Sequence, residues 1–255
     1  MEENLRCALC TFARAKSSGE VRGYPGITVC CSAVNFSMFN SSVLTAPVES
    51  ASQLDQRIRT AASYYEGRGL PWSFWLCREW VSPGVRGKVS EVMLKNGLHL
   101  VVDMPGMEAS RLAAPSRPLP ELVIRRVGDN PTRADFNHIM AAMFGIPFSI
   151  SRDVYDSPTT WQGSLTGWIG YLDREPVATA ASLVAGGVAG IYAVATVPEH
   201  RRKGYAEVVM RHALAQARVA SGIEHTVLQS SDQGYRLYEK MGYRTVTRYA
   251  VFAYS

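Results

Sequence analysis

The sequence predicts an α/β fold of the α+β type: a mixed central sheet flanked by helices, built as two halves in tandem. Three observations lead there. Gly190 to Ala217 reads as strand, glycine turn and helix; a second alternation of strands and helices runs from residue 26 to 104; and Pro, Ala and Ser gather between the halves, from Pro105 to Pro120. A chain of 255 residues, 47% hydrophobic and 19% charged, can fill two modest cores and is too apolar to stay disordered.

In order, residues 1–25 carry little periodic pattern and are expected as a loosely held extension. Residues 26–104 form the first α/β unit. Gly26 to Val34 suits a strand, and Asn35 to Leu44 mixes apolar and polar residues. Ser52 with Asp55 three later has the form of a capping box, and Leu54, Ile58, Ala61 and Tyr65 make a helical stripe that ends near Gly67 and Gly69. Trp72 to Leu76 follows as a strand, Val85, Val89, Val92 and Met93 as a helix stopped at Gly97, and Leu98 to Val102 as another strand. Residues 105–120 read as the linker and 121–255 as the second unit. That unit opens with a strand, Leu122 to Val127, and a helix from Thr132 to Phe144 with Phe136, Ile139, Met140 and Met143 on one face. Phe148 to Gln162 has no clear period and is expected as a loop. Trp168 to Leu172 and Val177 to Val184 make a hairpin around Asp173 to Pro176.

The run Ile191 to Val197 is β-branched and aromatic, as a buried strand requires, and Pro198 ends it. A basic turn follows, Arg201-Arg202-Lys203-Gly204-Tyr205-Ala206, and then Ala206, Met210, Ala213, Leu214 and Ala217 recur at helical spacing. The first backbone N–H groups of such a helix lack partners and sit at the positive end of its dipole, so the turn suits an anion, phosphate above all. Gly204 and Ala206 let phosphates approach the backbone. Neither the P-loop string nor the G-x-G-x-x-G dinucleotide fingerprint is present: Gly186, Gly187 and Gly190 precede a strand at the wrong spacing.

The turn resembles the Q/R-x-x-G-x-G/A signature of the GCN5-related N-acetyltransferases, the GNAT family. A second motif follows about thirty residues on, Val227-Leu228-Gln229-Ser230-Ser231 and then Gly234-Tyr235-Arg236-Leu237-Tyr238-Glu239-Lys240-Met241-Gly242-Tyr243, similar to that family's strand and lYeklGF segment. The resemblance covers residues 121–255 and implies a GNAT fold there, with acetyl-coenzyme A lying across a splayed sheet. Residues 26–104 share the strand–helix–strand–helix–strand order of the fold's second half. On element order alone the unit is either a degenerate copy without the phosphate signature or an unrelated α/β domain.

Carried over position by position, the resemblance gives Ala195, Thr196 and Val197 the pantetheine arm, and Arg201, Arg202, Lys203, Gly204, Tyr205 and Ala206 the pyrophosphate. Ser231, Gly234 and Tyr235 line the cofactor on the other side. Tyr238 becomes the acid that protonates the leaving thiolate, on a short helix that Ser230 and Gln233 could cap, with Tyr235 as fallback. The family often has Asn where Ser231 stands. Asp153, Asp156, Glu175 and His138 are the candidate bases by chemistry. The implied activity is transfer of acetyl from acetyl-CoA to a primary amine, of a small molecule or a peptide, with an inactive coenzyme A-binding module as the alternative.

A net charge of +5 fits a polyanionic ligand as well as nucleic acid, and with so few basic residues in the turn no nucleic-acid partner is expected. The cysteines, at 7, 10, 30, 31 and 77, are odd in number, and Cys7-x-x-Cys10 lacks a second ligand pair, so free thiols and no metal are expected. Val177 to Val197 is an uncharged run of about twenty residues, but its Ala, Gly and Thr content and the turn at Ala185 to Gly187 favour two antiparallel strands over a membrane span. No membrane partner is expected, and the absence of a signal pattern at the N-terminus predicts a cytoplasmic protein.

Overall fold

The computed structural model describes residues 1–254. In chain order the elements are α1 (Glu2–Ala13), β1 (Glu20–Tyr24), β2 (Ile27–Cys31), β3 (Asn40–Leu44), α2 (Ala51–Glu66), β4 (Trp72–Cys77), α3 (Pro83–Arg86), α4 (Val89–Lys95) and β5 (Leu98–Ala109). The second half continues with β6 (Val123–Arg126), α5 (Asn130–Phe144), α6 (Phe148–Tyr155), β7 (Leu165–Leu172), β8 (Glu175–Ala185), β9 (Val188–Thr196), α7 (Tyr205–Ser221), β10 (Thr226–Gln229), α8 (Asp232–Lys240) and β11 (Arg244–Tyr254).

All eleven strands join one sheet in the order β1-β2-β3-β4-β11-β5-β10-β9-β8-β7-β6. The two sides of the antiparallel pair β11/β5 are alike except that β6 has no counterpart. On one side β3 and β4 pair in parallel and enclose α2; on the other β9 and β10 pair in parallel and enclose α7. Each half sends its last strand into the other, β5 to the side of β10 and β11 to the side of β4. The mixed sheet and the repeated strand–helix order expected from the sequence are both present. The halves are woven together rather than strung on a linker: the strand expected to end at Val102 runs on to Ala109, and the connecting segment begins only at residue 110.

The faces of the sheet carry separate cores. Leu54, Ile58, Tyr65, Trp72 and Phe74 gather under α2 and α4, while Met107, Ile191, Val209, Met210, Leu228 and Met241 gather under α7 and α8. The opposite face holds α1, α5 and α6, where Phe12, Phe39, Phe136 and Tyr155 meet edge-on or tilted at centroid distances of 5.6–6.2 Å.

Residues 1–25, expected as a loose extension, hold a packed helix instead. Leu5, Leu9 and Ala13 of α1 pack on Cys30, Val43, Cys77 and Tyr249 from the first half of the sheet and its exchanged strand. Asn4, fully buried, donates from Nδ2 to the carbonyls of Leu183, Ala185 and Val188 at 3.0, 3.1 and 3.0 Å, and its Oδ1 accepts from the Tyr192 hydroxyl at 2.6 Å. The polar residues that dilute the apolar pattern of α1 are thus partly buried contacts.

Other expectations shift locally. The cap of α2 is Ser50, whose Oγ accepts from Gln53 N at 3.2 Å, so the box lies two residues earlier than Ser52 and Asp55. Phe148 to Gln162 is not a loop: α6 and a single 3-10 turn occupy it, with Val154, Tyr155 and Trp161 buried. The uncharged run from Val177 to Val197 is strands β8 and β9, and among the described residues no helix is long and apolar enough to cross a membrane.

Candidate functional site

The site begins where β9 and β10 part. Their parallel pairing covers only Thr226↔Ala189 and Val227↔Gly190. Beyond Gly190, β9 stays with β8 through a bulge between Tyr192 and Ala195, in which Ala193 takes φ +51° and its carbonyl accepts from Thr179 Oγ1 at 2.9 Å. A bulge bends its strand and deepens the twist, which here turns β9 away from β10 and leaves one of its edges unpaired.

The bulge also decides which backbone groups face the gap. Val197 N donates to Val177 O at 3.0 Å, and Ala195 stands opposite Thr179, so by strand alternation Ala195 and Val197 spend their amides on β8. Thr196 and Val194 then present theirs to the gap. Of the three residues expected to meet a pantetheine arm, Thr196 turns its backbone N–H to the gap, as Val194 does, and Ala195 and Val197 turn theirs to β8. The Thr196 carbonyl accepts from Arg201 Nε at 3.2 Å, which ties the basic turn to the strand. Across the gap, Gln229 Nε2 at the end of β10 is buried with no hydrogen-bond partner among the described residues.

At the open end of the gap lies the N-terminus of α7. Gly204 is its N-cap with φ +96°, and no side chain among the described residues caps the helix, so the first-turn N–H groups have no partner within it. Arg202, two residues earlier, takes φ +63°, and positive-φ residues so placed can curl successive N–H groups into a cradle of the kind that suits an anion. Arg201, Arg202 and Lys203 are exposed, while Tyr205 is buried as the helix's first anchor. Ala206 is half-buried beside them.

The opposite wall is α8. Its N-cap is Ser231, whose Oγ accepts from Gly234 N at 3.3 Å, in place of the expected Ser230 and Gln233; Ser230 is buried and donates to the Ser231 carbonyl at 2.8 Å. Gly234 leaves room for the Tyr238 ring, since a Cβ there would lie 2.7 Å from Tyr238 Cε2. Burial alone pushes the Tyr238 hydroxyl up to about 12, so it is a proton donor at neutral pH. Tyr235 leans the other way, its hydroxyl 3.3 Å from Thr245 Oγ1.

Each candidate base has a neighbour away from the gap. Asp153 pairs with Lys16 at 2.8 Å, Asp156 lies 3.6 Å from Arg133, Glu175 lies 3.8 Å from His200, and His138 Nδ1 is 2.7 Å from the Ala134 carbonyl.

The equivalent place in the first half is closed. Beyond β3, Val48 bridges to Val81, donating to Trp80 O at 2.7 Å and accepting from Ser82 N at 2.9 Å, so the strands there do not part. The N-terminus of α2 is satisfied by Ser50, and Arg57 fills the turn by donating to the carbonyls of Ala46 and Pro47 at 2.7 and 2.9 Å. Of the two halves, the second is the one that offers a gap with free donors at its mouth.

The sequence profile of the acetyltransferase (GNAT) family matches residues 134–243. No curated protein sequence matches the chain. Among solved structures, a GCN5-related N-acetyltransferase from Kribbella flavida is 19% identical with a TM-score of 0.73, covering 99% of this chain and 96% of its own. A functionally unknown conserved protein from Staphylococcus epidermidis ATCC 12228 is 14% identical with a TM-score of 0.66, covering 97% and 98%. A GCN5-related N-acetyltransferase from Sphaerobacter thermophilus is 13% identical with a TM-score of 0.60, covering 89% and 76%. At these identities the likeness is one of fold, and for the first two it extends over both halves. The gap, the uncapped glycine turn and Tyr238 all lie inside the matched range, and residues 134–243 are a domain of the acetyltransferase (GNAT) family.

Proposed function

We propose that the protein is an N-acetyltransferase that moves an acetyl group from acetyl-CoA to a primary amine by direct attack. The observation that carries this reading is the contrast between the halves: the parted strands and uncapped turn of β9 and α7 against the bridged strands and self-capped turn of β3 and α2. A GNAT-family domain whose uncapped helix turn lies beside a free strand edge fits a nucleotide thioester.

The free N–H groups from Arg202 to Ala206 would hold the pyrophosphate, aided by the helix dipole. The gap-facing backbone of Val194 and Thr196 would pair with the pantetheine amides as an added strand does. When bound, acetyl-CoA supplies the thioester whose C–S bond breaks as the C–N bond to the amine forms. Tyr238 gives its hydroxyl proton to the departing sulfur. A water chain leading from the gap to solvent would take the proton from the attacking amine.

Calorimetric titration of the intact protein with acetyl-CoA, followed by a thiol-release assay over a panel of small amines and peptides, tests the reading. Saturable binding with amine-dependent thiol release is expected. Binding without turnover on any amine would favour the inactive coenzyme A-binding module, and absence of binding would refute both.

A further inference from the structure

The segment between the halves, residues 110–120, lies outside the family-matched range, yet it runs over the mouth of the cradle. Ala113 N donates to Met241 O at 2.9 Å, and a Cβ on Gly242 would lie 3.1 Å from Ala113 N, so the segment is seated against the end of α8. Farther on it reaches the turn before α7. Arg117 Nη2 donates to the Arg202 carbonyl at 3.3 Å, and a Cβ on Gly204 would lie 3.4 Å from Arg117 Nη2 and 3.2 Å from Pro120 Cδ. The guanidinium is therefore held at the rim of the concavity formed by Arg202 and Gly204. Arg117 is exposed, and the bond to Arg202 uses one of its five N–H donors. A carbonyl is a modest partner for a full positive charge, whereas a phosphate oxygen accepts from a guanidinium at roughly twice the strength of a neutral bond.

We propose that Arg117 is a further cofactor-binding residue, which would add a cation to the pyrophosphate site at the α7 N-terminus. This rests on the acetyltransferase reading of the same site. The segment between the halves then acts as a strap that carries one cation from outside the acetyltransferase domain to the phosphates, and its seat on α8 fixes where that cation stands. A contact made to the pyrophosphate would weaken every ligand that carries it and spare pantetheine, which does not.

The test measures dissociation constants by calorimetry for CoA, 3′-dephospho-CoA and pantetheine, on wild type and on Arg117→Ala, Arg117→Gln and Arg117→Lys. Arg117→Ala is expected to weaken CoA and dephospho-CoA equally, about tenfold, and to leave pantetheine unchanged. Arg117→Gln keeps a donor for the Arg202 carbonyl without the charge, and should be as weak as the alanine variant, whereas Arg117→Lys should recover part of the loss. Full recovery by Arg117→Gln would show that the residue only pins the strap, and overturns the proposal. So does a loss confined to CoA, which would move the contact to the 3′-phosphate, or an unchanged affinity in every variant. If wild type binds CoA and the variants do likewise, the proposal fails while the acetyltransferase reading stands; if wild type binds no CoA, both fall.

Discussion

Replacing Gly204 separates backbone strain from charge at the cradle. The residue sits at φ +96°, where a side chain costs about 1–2 kcal/mol, and its Cβ would be 3.2 Å from Pro120 Cδ, so the strap must also give by a few tenths of an ångström. For a chain of this size each kilocalorie moves the melting temperature by about 2–4 °C. Gly204→Ala should therefore melt about 2–8 °C lower, remain folded, and bind acetyl-CoA somewhat more weakly. Gly204→Glu carries the same strain and adds a carboxylate about 5 Å from the phosphates, worth about 3 kcal/mol of repulsion at an effective dielectric near 20, or more than about a hundredfold in affinity. Thermal melts by circular dichroism and calorimetric titration at matched ionic strength read the two effects independently. A Gly204→Glu variant that melts as expected and still binds acetyl-CoA like wild type would refute the assignment of this turn to the phosphates.

Groups elsewhere in the molecule give three further tests. Tyr238→Phe should lower kcat by about a hundredfold while leaving the acetyl-CoA dissociation constant unchanged. Because burial lifts its hydroxyl to about 12, wild-type activity should show no decline from loss of this proton below about pH 10, and an alkaline limb near pH 8 that vanishes in Tyr238→Phe would contradict the role. Asn4→Ala strips the donor from three buried carbonyls and the acceptor from Tyr192, and should cost about 2–4 kcal/mol in a denaturant melt; Asn4→Asp, which sets a carboxylate against the same carbonyls, should be at least as damaging. Cys10 lies with its Sγ 3.5 Å from that of Cys30, and this hydrogen bond, outweighing burial, lowers it to about 7, whereas burial pushes Cys77 up to about 12. Iodoacetamide at about pH 8 should modify Cys10 well before Cys77, at a rate that falls as the pH drops through about 7, and peptide mapping that finds Cys77 labelled first would contradict the assignment.

The chemistry of the cradle was legible in the sequence, because it depends on contiguous residues. A glycine before a helical stripe, preceded by basic residues and a β-branched run, dictates an N-terminus with unpaired N–H groups whatever the rest of the chain does. Tyr238 and its GNAT-like string were legible for the same reason: one short helix holds them. The strand–helix–strand order read in residues 26–104 is likewise present, as β3, α2 and β4 followed by α4 and β5.

What the sequence could not express is parity and partnership across distance. Which amides among Ala195, Thr196 and Val197 turn towards β8 is fixed by the bulge at Ala193, and that bulge comes from pairing with a strand, not from local propensity. Residues 1–25 have no clean period because α1 buries Asn4 beside Leu5, and a buried amide is favourable only where Leu183, Ala185, Val188 and Tyr192 surround it. Arg117 sits in a stretch of Pro, Ala and Ser with nothing local to mark it. The sequence alone determined that a glycine turn opens one helix between two strands and that Tyr238 stands on a short helix after the second, since hydrogen-bond valence and helix period act over a few residues. Only the tertiary structure decided that the two halves exchange strands, that the first half's cradle is filled by Ser50 and Arg57, and that the connecting strap brings Arg117 to the second. These depend on which surfaces meet once the chain has closed its loops, and no local rule encodes them.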